Sequence, residues 1–241
     1  MKKNVIILTS GLSGSSVLAA LIAQDGGYWL GDSTIKKSDY DTWENTELVE
    51  LNKRILKDMG FTENWTMHFQ PEYIDRVTQA AAKLDPRPYQ AFVQKCNTKA
   101  PWLWKDPRLW LTIRYWQQHL DLDRVAFLLI HRDPMQSWIS MTLRRQIQTM
   151  KHAYAYEKGI HQSLTGFLAA NNAPFIDILY EDLLVQPDAT IETINRHLET
   201  HLELDDLKHV FRGRLHKRQH GFMSFIKAMA VYLKNHAERC H

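Results

Sequence analysis

The chain has 241 residues, 44% hydrophobic and 24% charged, an ordinary globular composition that is too apolar for a disordered one. A formal charge of +3, with 12 histidines counted neutral, is too mild to argue for nucleic acid, yet it suits a basic pocket for a small polyanion. The two cysteines, Cys96 and Cys240, have neither metal nor redox spacing, so reduced thiols and a cytoplasmic location are expected.

Lys2-Lys3 followed by an apolar run to Ala23 has the outline of a secretory leader. The run is broken by Ser10-Gly11-Leu12-Ser13-Gly14-Ser15-Ser16, which fits a strand, a loop and a helix better. Val5–Leu8 reads as a buried strand, and Ser15–Gln24 as a helix with Val17, Leu18, Leu21 and Ile22 inward, ended by Gly26-Gly27. Thr42–Met59 is expected to be helical, with Leu48, Leu51, Ile55 and Leu56 as its apolar stripe and Gly60 closing it. Pro71–Leu84 and Tyr89–Cys96 read as helices on either side of Pro86-Arg87-Pro88. Trp102–Trp104 is a short strand, and Pro107 opens a helix to about His119. Arg124–Ile130 reads as a second buried strand. Helices follow over Pro134–Arg145 and Tyr154–Ala170, then a strand over Phe175–Leu179 and a helix over Pro187–Leu198. The tail from Gly221 to Glu238 reads as an amphipathic helix with Phe222, Phe225, Ile226 and Met229 on one side. Alternating strands and helices imply an α/β fold with a central parallel sheet and helices on both faces. With no linker or repeat, residues 1–241 are expected to form one domain, and no run reaches the ~18 apolar residues of a membrane span.

Two segments read together as a cradle for a nucleotide with two separate phosphates. Gly11 to Ser16 follows the first strand and offers backbone N–H groups at a helix start. Arg132-Asp133-Pro134 follows the second apolar strand, with Ser137 and Ser140 on the next helix. A phosphate carrying nearly two charges can be gripped bidentately by a guanidinium. The triphosphate loop G-x-x-x-x-G-K-[ST] is not met, because Ser15 follows Gly14 where lysine is needed. The dinucleotide fingerprint fails as well, since Gly11 and Gly14 are spaced wrongly.

The chain resembles the PAPS-dependent sulfotransferases, which donate a sulfuryl group from 3′-phosphoadenosine-5′-phosphosulfate. Four stretches match in order. Ser13-Gly14-Ser15-Ser16, with Gly11 and Leu12 before it, is similar to the loop that holds the 5′-phosphosulfate. Arg132-Asp133-Pro134 with Ser140 is similar to the signature for the 3′-phosphate, Ser137 being the competing hydroxyl. Tyr180-Glu181-Asp182-Leu183 resembles the Y-E-D-L segment, whose tyrosine contacts adenine. Trp104-Lys105-Asp106-Pro107-Arg108 resembles the K-D-P stretch of tyrosylprotein sulfotransferases and bacterial relatives. The resemblance implies a P-loop-like three-layer fold, PAPS as donor and PAP as product, and no metal. It also implies a late basic loop closing over the nucleotide, for which Arg214 and Arg218 are the candidates.

The chain departs from the family at Leu12, where the family usually carries Lys or Arg to stabilise charge on the leaving phosphate. Either another cation takes over, Lys105 being the candidate, or the enzyme is impaired. Glu44 matches a glutamate of bacterial relatives and is the first choice for general base, with His68 and His131 as alternatives. Plainer roles stand beside these. Lys105, Asp106 and Arg108 could form only a structural network, and Glu44 could serve the helix dipole alone. Trp102, Trp104, Trp110 and Trp116 are expected in the core. The expected activity is transfer of a sulfuryl group to the hydroxyl of a small molecule or glycan. The rivals are a PAPS- or PAP-binding module without transfer, and an atypical nucleotide kinase.

Overall fold

The computed structural model describes residues 2–25, 27–36, 40–61, 69–211 and 221–235. Among the described residues there are six strands: β1 (Asn4–Thr9), β2 (Ser33–Lys36), β3 (Tyr40–Asn45), β4 (Leu103–Lys105), β5 (Val125–His131) and β6 (Phe175–Leu179). The helices before β5 are α1 (Ser15–Gln24), α2 (Thr46–Asp58), α3 (Glu72–Ala81), α4 (Arg87–Asn97) and α5 (Leu109–Trp116). Those after it are α6 (Pro134–Leu143), α7 (Met150–Ala170), α8 (Asp182–Val185), α9 (Pro187–Leu198), α10 (Leu204–Phe211) and α11 (Phe222–Lys234).

The main sheet runs β4-β1-β5-β6, with every pairing parallel. Successive side chains of a strand point to opposite faces, so each strand feeds two cores. Ile6, Leu8, Trp104, Phe127 and Leu129 join a core beneath α2, α4, α5 and α7. Val5, Ile7, Leu103, Ala126, Leu128, Ile130 and Ile178 join a second beneath α1, α9 and α10. The four tryptophans expected inside are all buried in the first core. A sheet covered on both faces needs continuously apolar strands, which is how β1 and β5 read in the sequence. Among the described residues no helix is long and apolar enough to cross a membrane.

Two boundaries and the cover of one apolar stripe differ from expectation. Residues 42–45 belong to β3 rather than to a helix. Trp43 sits at φ +57°, outside the helical region, and Asn45 caps α2 by accepting from the Leu48 N–H at 3.1 Å. Helix α7 starts before Tyr154, at Met150, because Thr149 caps it by accepting from the His152 N–H at 3.1 Å. In the tail helix only part of the expected stripe is covered. Phe225 and Met229 pack against the cluster of Trp138, Ile139 and Met141, whereas Phe222 is 75% and Ile226 43% exposed. The short β2, α8 and α10 lack the length or periodicity that the sequence reading relies on.

Candidate functional site

Parallel strands end at one edge of their sheet, and the loops leaving that carboxyl edge are where open α/β sheets bind ligands. Each matched stretch leaves this edge. Ser10–Gly14 follows β1, Lys105 ends β4, Arg132 follows β5, and Tyr180-Glu181 follows β6.

The first loop bends through three left-handed residues, Gly11 at φ +87°, Leu12 at +55° and Gly14 at +83°. Gly14 is required twice over, for that conformation and for space. A Cβ there would lie 2.0 Å from the ring of Tyr180. Gly11 donates its N–H to the Thr9 hydroxyl at 3.1 Å, and the Thr9 and Ser13 hydroxyls bond to each other. Ser15 opens α1 and is buried. Leu12 packs on the apolar cluster that α6, α7 and α11 form, which suits an apolar side chain there.

Arg132 is only 2% exposed. Its Nε donates to Glu181 Oε1 at 3.2 Å, and Glu181 Oε2 accepts from the Asp133 N–H at 3.1 Å. Its guanidinium lies 5.2 Å from the Tyr180 ring centroid. Its Nη2 is buried with no hydrogen-bond partner among the described residues. An unsatisfied buried nitrogen on a charged group is costly, and an anion oxygen would relieve that cost. Asp133 caps α6 by accepting from the Gln136 N–H at 3.0 Å, and Pro134 supplies the preset first helical residue. Ser140 is buried on this helix. Ser137 is committed elsewhere, donating to Glu157 Oε1 at 2.7 Å.

Lys105, 3% exposed, donates to Glu44 Oε1 at 2.6 Å, to the Thr42 carbonyl at 3.0 Å and to the Ser16 hydroxyl at 3.1 Å. Ser16 in turn donates to the Thr42 carbonyl at 3.3 Å. The two candidate catalytic residues are thus each other's ion-pair partners beside the first loop. The rest of the K-D-P stretch is structural. Asp106 is buried and holds Arg108 at 2.9 Å and the Asn52 amide at 2.9 Å. Asn52 also accepts from Thr112 and Trp116, each at 2.8 Å. Burial pushes the Asp106 carboxyl above its ordinary value, against the pull of Arg108.

One residue that the sequence reading missed ties the two candidate loops together. Glu157 on α7 is buried and accepts from Ser10 at 2.6 Å, in the first loop, and from Ser137 at 2.7 Å, after the second. Burial raises its carboxyl above the usual range, while both hydroxyls and the charges of His131 and Arg132 oppose the shift. Tyr156 donates to the Ser10 carbonyl at 3.2 Å. A buried carboxylate on a mostly apolar helix face was the available signal. Of the remaining candidates, His131 faces Asp177 at 3.2 Å rather than the Lys105 cluster. His68, Arg214, Arg218 and Cys240 lie outside the described residues. A cleft lined by Lys2, Lys3, Asn4, Pro101 and Arg124 lies at the amino edge of the sheet and includes none of the site residues.

A protein-family model described as "Sulfotransferase family" matches residues 5–206. Among solved structures, the chain is similar to the sulfotransferase domain of the Synechococcus olefin synthase, with a TM-score of 0.52 and 16% identity over 97% of this chain and 96% of that one. It is also similar to the sulfotransferase domain of the curacin biosynthetic pathway, with a TM-score of 0.51 and 16% identity over 93% of this chain and 82% of that one. No curated protein sequence matches it.

Proposed function

Since the chain belongs to the sulfotransferase family, we propose that it acts as one domain that moves a sulfuryl group from PAPS to the hydroxyl of a small molecule or glycan. The observation that carries this reading is the convergence on one sheet edge of a loop bent through left-handed residues and a buried guanidinium whose Nη2 has no partner among the described residues. The 5′-phosphosulfate is assigned to the loop from Gly11 to Ser16, at the start of a ten-residue helix, through the N–H groups beyond Gly11, whose own N–H is held by Thr9. The 3′-phosphate is assigned to Arg132, with Ser140 beside it rather than Ser137, whose hydroxyl is already engaged by Glu157. Tyr180 lies between these two points, against both Gly14 and Arg132, which suits a residue flanking the adenosine.

In the transfer, the acceptor oxygen forms a bond to sulfur as the bond from sulfur to the 5′-phosphate oxygen breaks, in line. The leaving PAP gains the negative charge, and the acceptor proton passes to the Glu44 carboxylate. Lys105 stabilises the charge on the departing phosphate, the part that Leu12 cannot play. It stands within 3.1 Å of Ser16, at the end of the 5′ loop. For this, Lys105 shifts from Glu44 toward the phosphate, and the released carboxylate becomes available as base.

A second reading, a PAPS/PAP-binding module without transfer, is favoured by Leu12 and by the closed Glu44–Lys105 pair. Calorimetric titration with PAP, followed by mass-spectrometric detection of sulfated product from PAPS and an acceptor panel, separates the readings. Micromolar PAP binding with product supports the transferase, and PAP binding without product supports the module. Binding of ATP but not PAP would point to a kinase and end both.

A further inference from the structure

Beside the second anion loop, but on the sheet face that α7 covers, three potential metal ligands meet. We propose that His131, His161 and Asp177 form a binding site for a divalent cation of the zinc class. The fold brings them together by parity and register. His131 ends β5 on the same face as Phe127 and Leu129, and Asp177 on β6 pairs with Leu129. His161 lies on α7, one helical turn beyond Glu157. None of the three belongs to the set assigned to PAPS or to transfer, so this proposal stands apart from the proposed function.

The geometry is that of a half-assembled coordination shell. His131 Nε2 is 3.2 Å from one carboxylate oxygen of Asp177, and His161 Nε2 is 2.6 Å from the other. One ligand atom from each residue lies within 4.8 Å of the other two. The imidazole rings are 4.7 Å apart and inclined at 63°, which lets both nitrogens point to a common centre without stacking. Each side chain is about one-third exposed, leaving a path for an ion and room for a water ligand. Two imidazole nitrogens and one carboxylate oxygen with an open position suit zinc, whereas calcium and magnesium need oxygen ligands throughout. On binding, each imidazole coordinates through an unprotonated Nε2 and keeps a proton on Nδ1, so a proton held at Nε2 moves to Nδ1 or, from a charged ring, is released to solvent. The ion would join α7 to β5 and β6, one residue from Arg132.

The test is zinc titration of the chelator-treated full chain by calorimetry, paired with cobalt absorption spectroscopy. The wild type is expected to bind one equivalent that His161→Gln and Asp177→Asn each lose or weaken by at least about tenfold. His201→Gln, an exposed histidine elsewhere, is expected to keep it. Zinc should raise the melting temperature of the wild type and of His201→Gln, and leave that of His161→Gln unmoved. Failure of the wild type to bind zinc would overturn the proposal and leave a hydrogen-bonded His–Asp–His cluster. Zinc uptake that His161→Gln and Asp177→Asn leave unchanged would overturn it equally.

Discussion

The two ends of the candidate site are built on opposite electrostatic plans. Around Arg132 the protein satisfies only part of a buried guanidinium, with Glu181 holding Nε while Nη2 has no partner among the described residues. Around Lys105 every donor is used, through Glu44, Thr42 and Ser16. A partly satisfied charge is poised for a ligand, because the ligand removes a desolvation penalty already present. A fully satisfied pair must exchange partners before it can act. On the proposed assignment the Arg132 end is prepared for binding, and any chemistry at the Lys105 end has to compete with an internal ion pair.

The largest effect should come from opening that pair. Lys105→Met leaves Glu44 buried without its cation and should cost ~3–5 kcal/mol of stability. Adding Glu44→Gln should restore most of it, and chemical denaturation of the single and double variants measures this. Lys105→Ala should also lower turnover at least about tenfold while PAP binding stays detectable. Unchanged turnover would remove Lys105 from the mechanism. At the other end, Arg132→Ala should weaken PAP binding by about 2–5 kcal/mol. Arg132→Lys should recover only part, since a point charge lacks the fork. Wild-type affinity in Arg132→Ala would break the assigned polarity of the site.

Smaller effects sharpen the comparison. Gly14→Ala should lose roughly 1–3 kcal/mol of stability from the left-handed backbone and the clash with Tyr180. A smaller residue at position 180 should relieve the steric share, and an unchanged melting temperature in Gly14→Ala would contradict the packing. Leu12→Lys should cost about 1 kcal/mol by removing an apolar contact with the α6–α11 cluster, without raising turnover. A gain in turnover would show that the loop position, not Lys105, limits the reaction. The finest effect is in pH. Glu157 has its folded value raised above the ordinary 4.5 by burial. Its contribution is fully present below the unfolded value and lost as pH rises through the folded one. Stability of the wild type relative to Glu157→Gln should therefore fall as pH rises through that window, and parallel denaturation midpoints across pH would refute the shift.

Much of this is legible in the amino-acid sequence. The continuous apolar runs of β1 and β5 announced a covered parallel sheet, and β6 and α9 lie where their periodicity put them. Residues 42–45 were misread because an apolar stripe identifies a helix interior and not its start, which the Asn45 cap decides. The stripe on α11 was likewise only half informative, since periodicity does not reveal how much of a face a neighbour covers.

The chain's own order of residues determined which groups leave the ends of strands and which turns need glycine, because backbone sterics and side-chain alternation act over a few neighbours. Tertiary packing alone decided that Lys105 grips Glu44, that Arg132 keeps a nitrogen unsatisfied and that Glu157 joins two loops. Those contacts span from 20 to 147 positions in the chain. Pairings at such separations depend on how strands register and helices pack, and no local pattern encodes them.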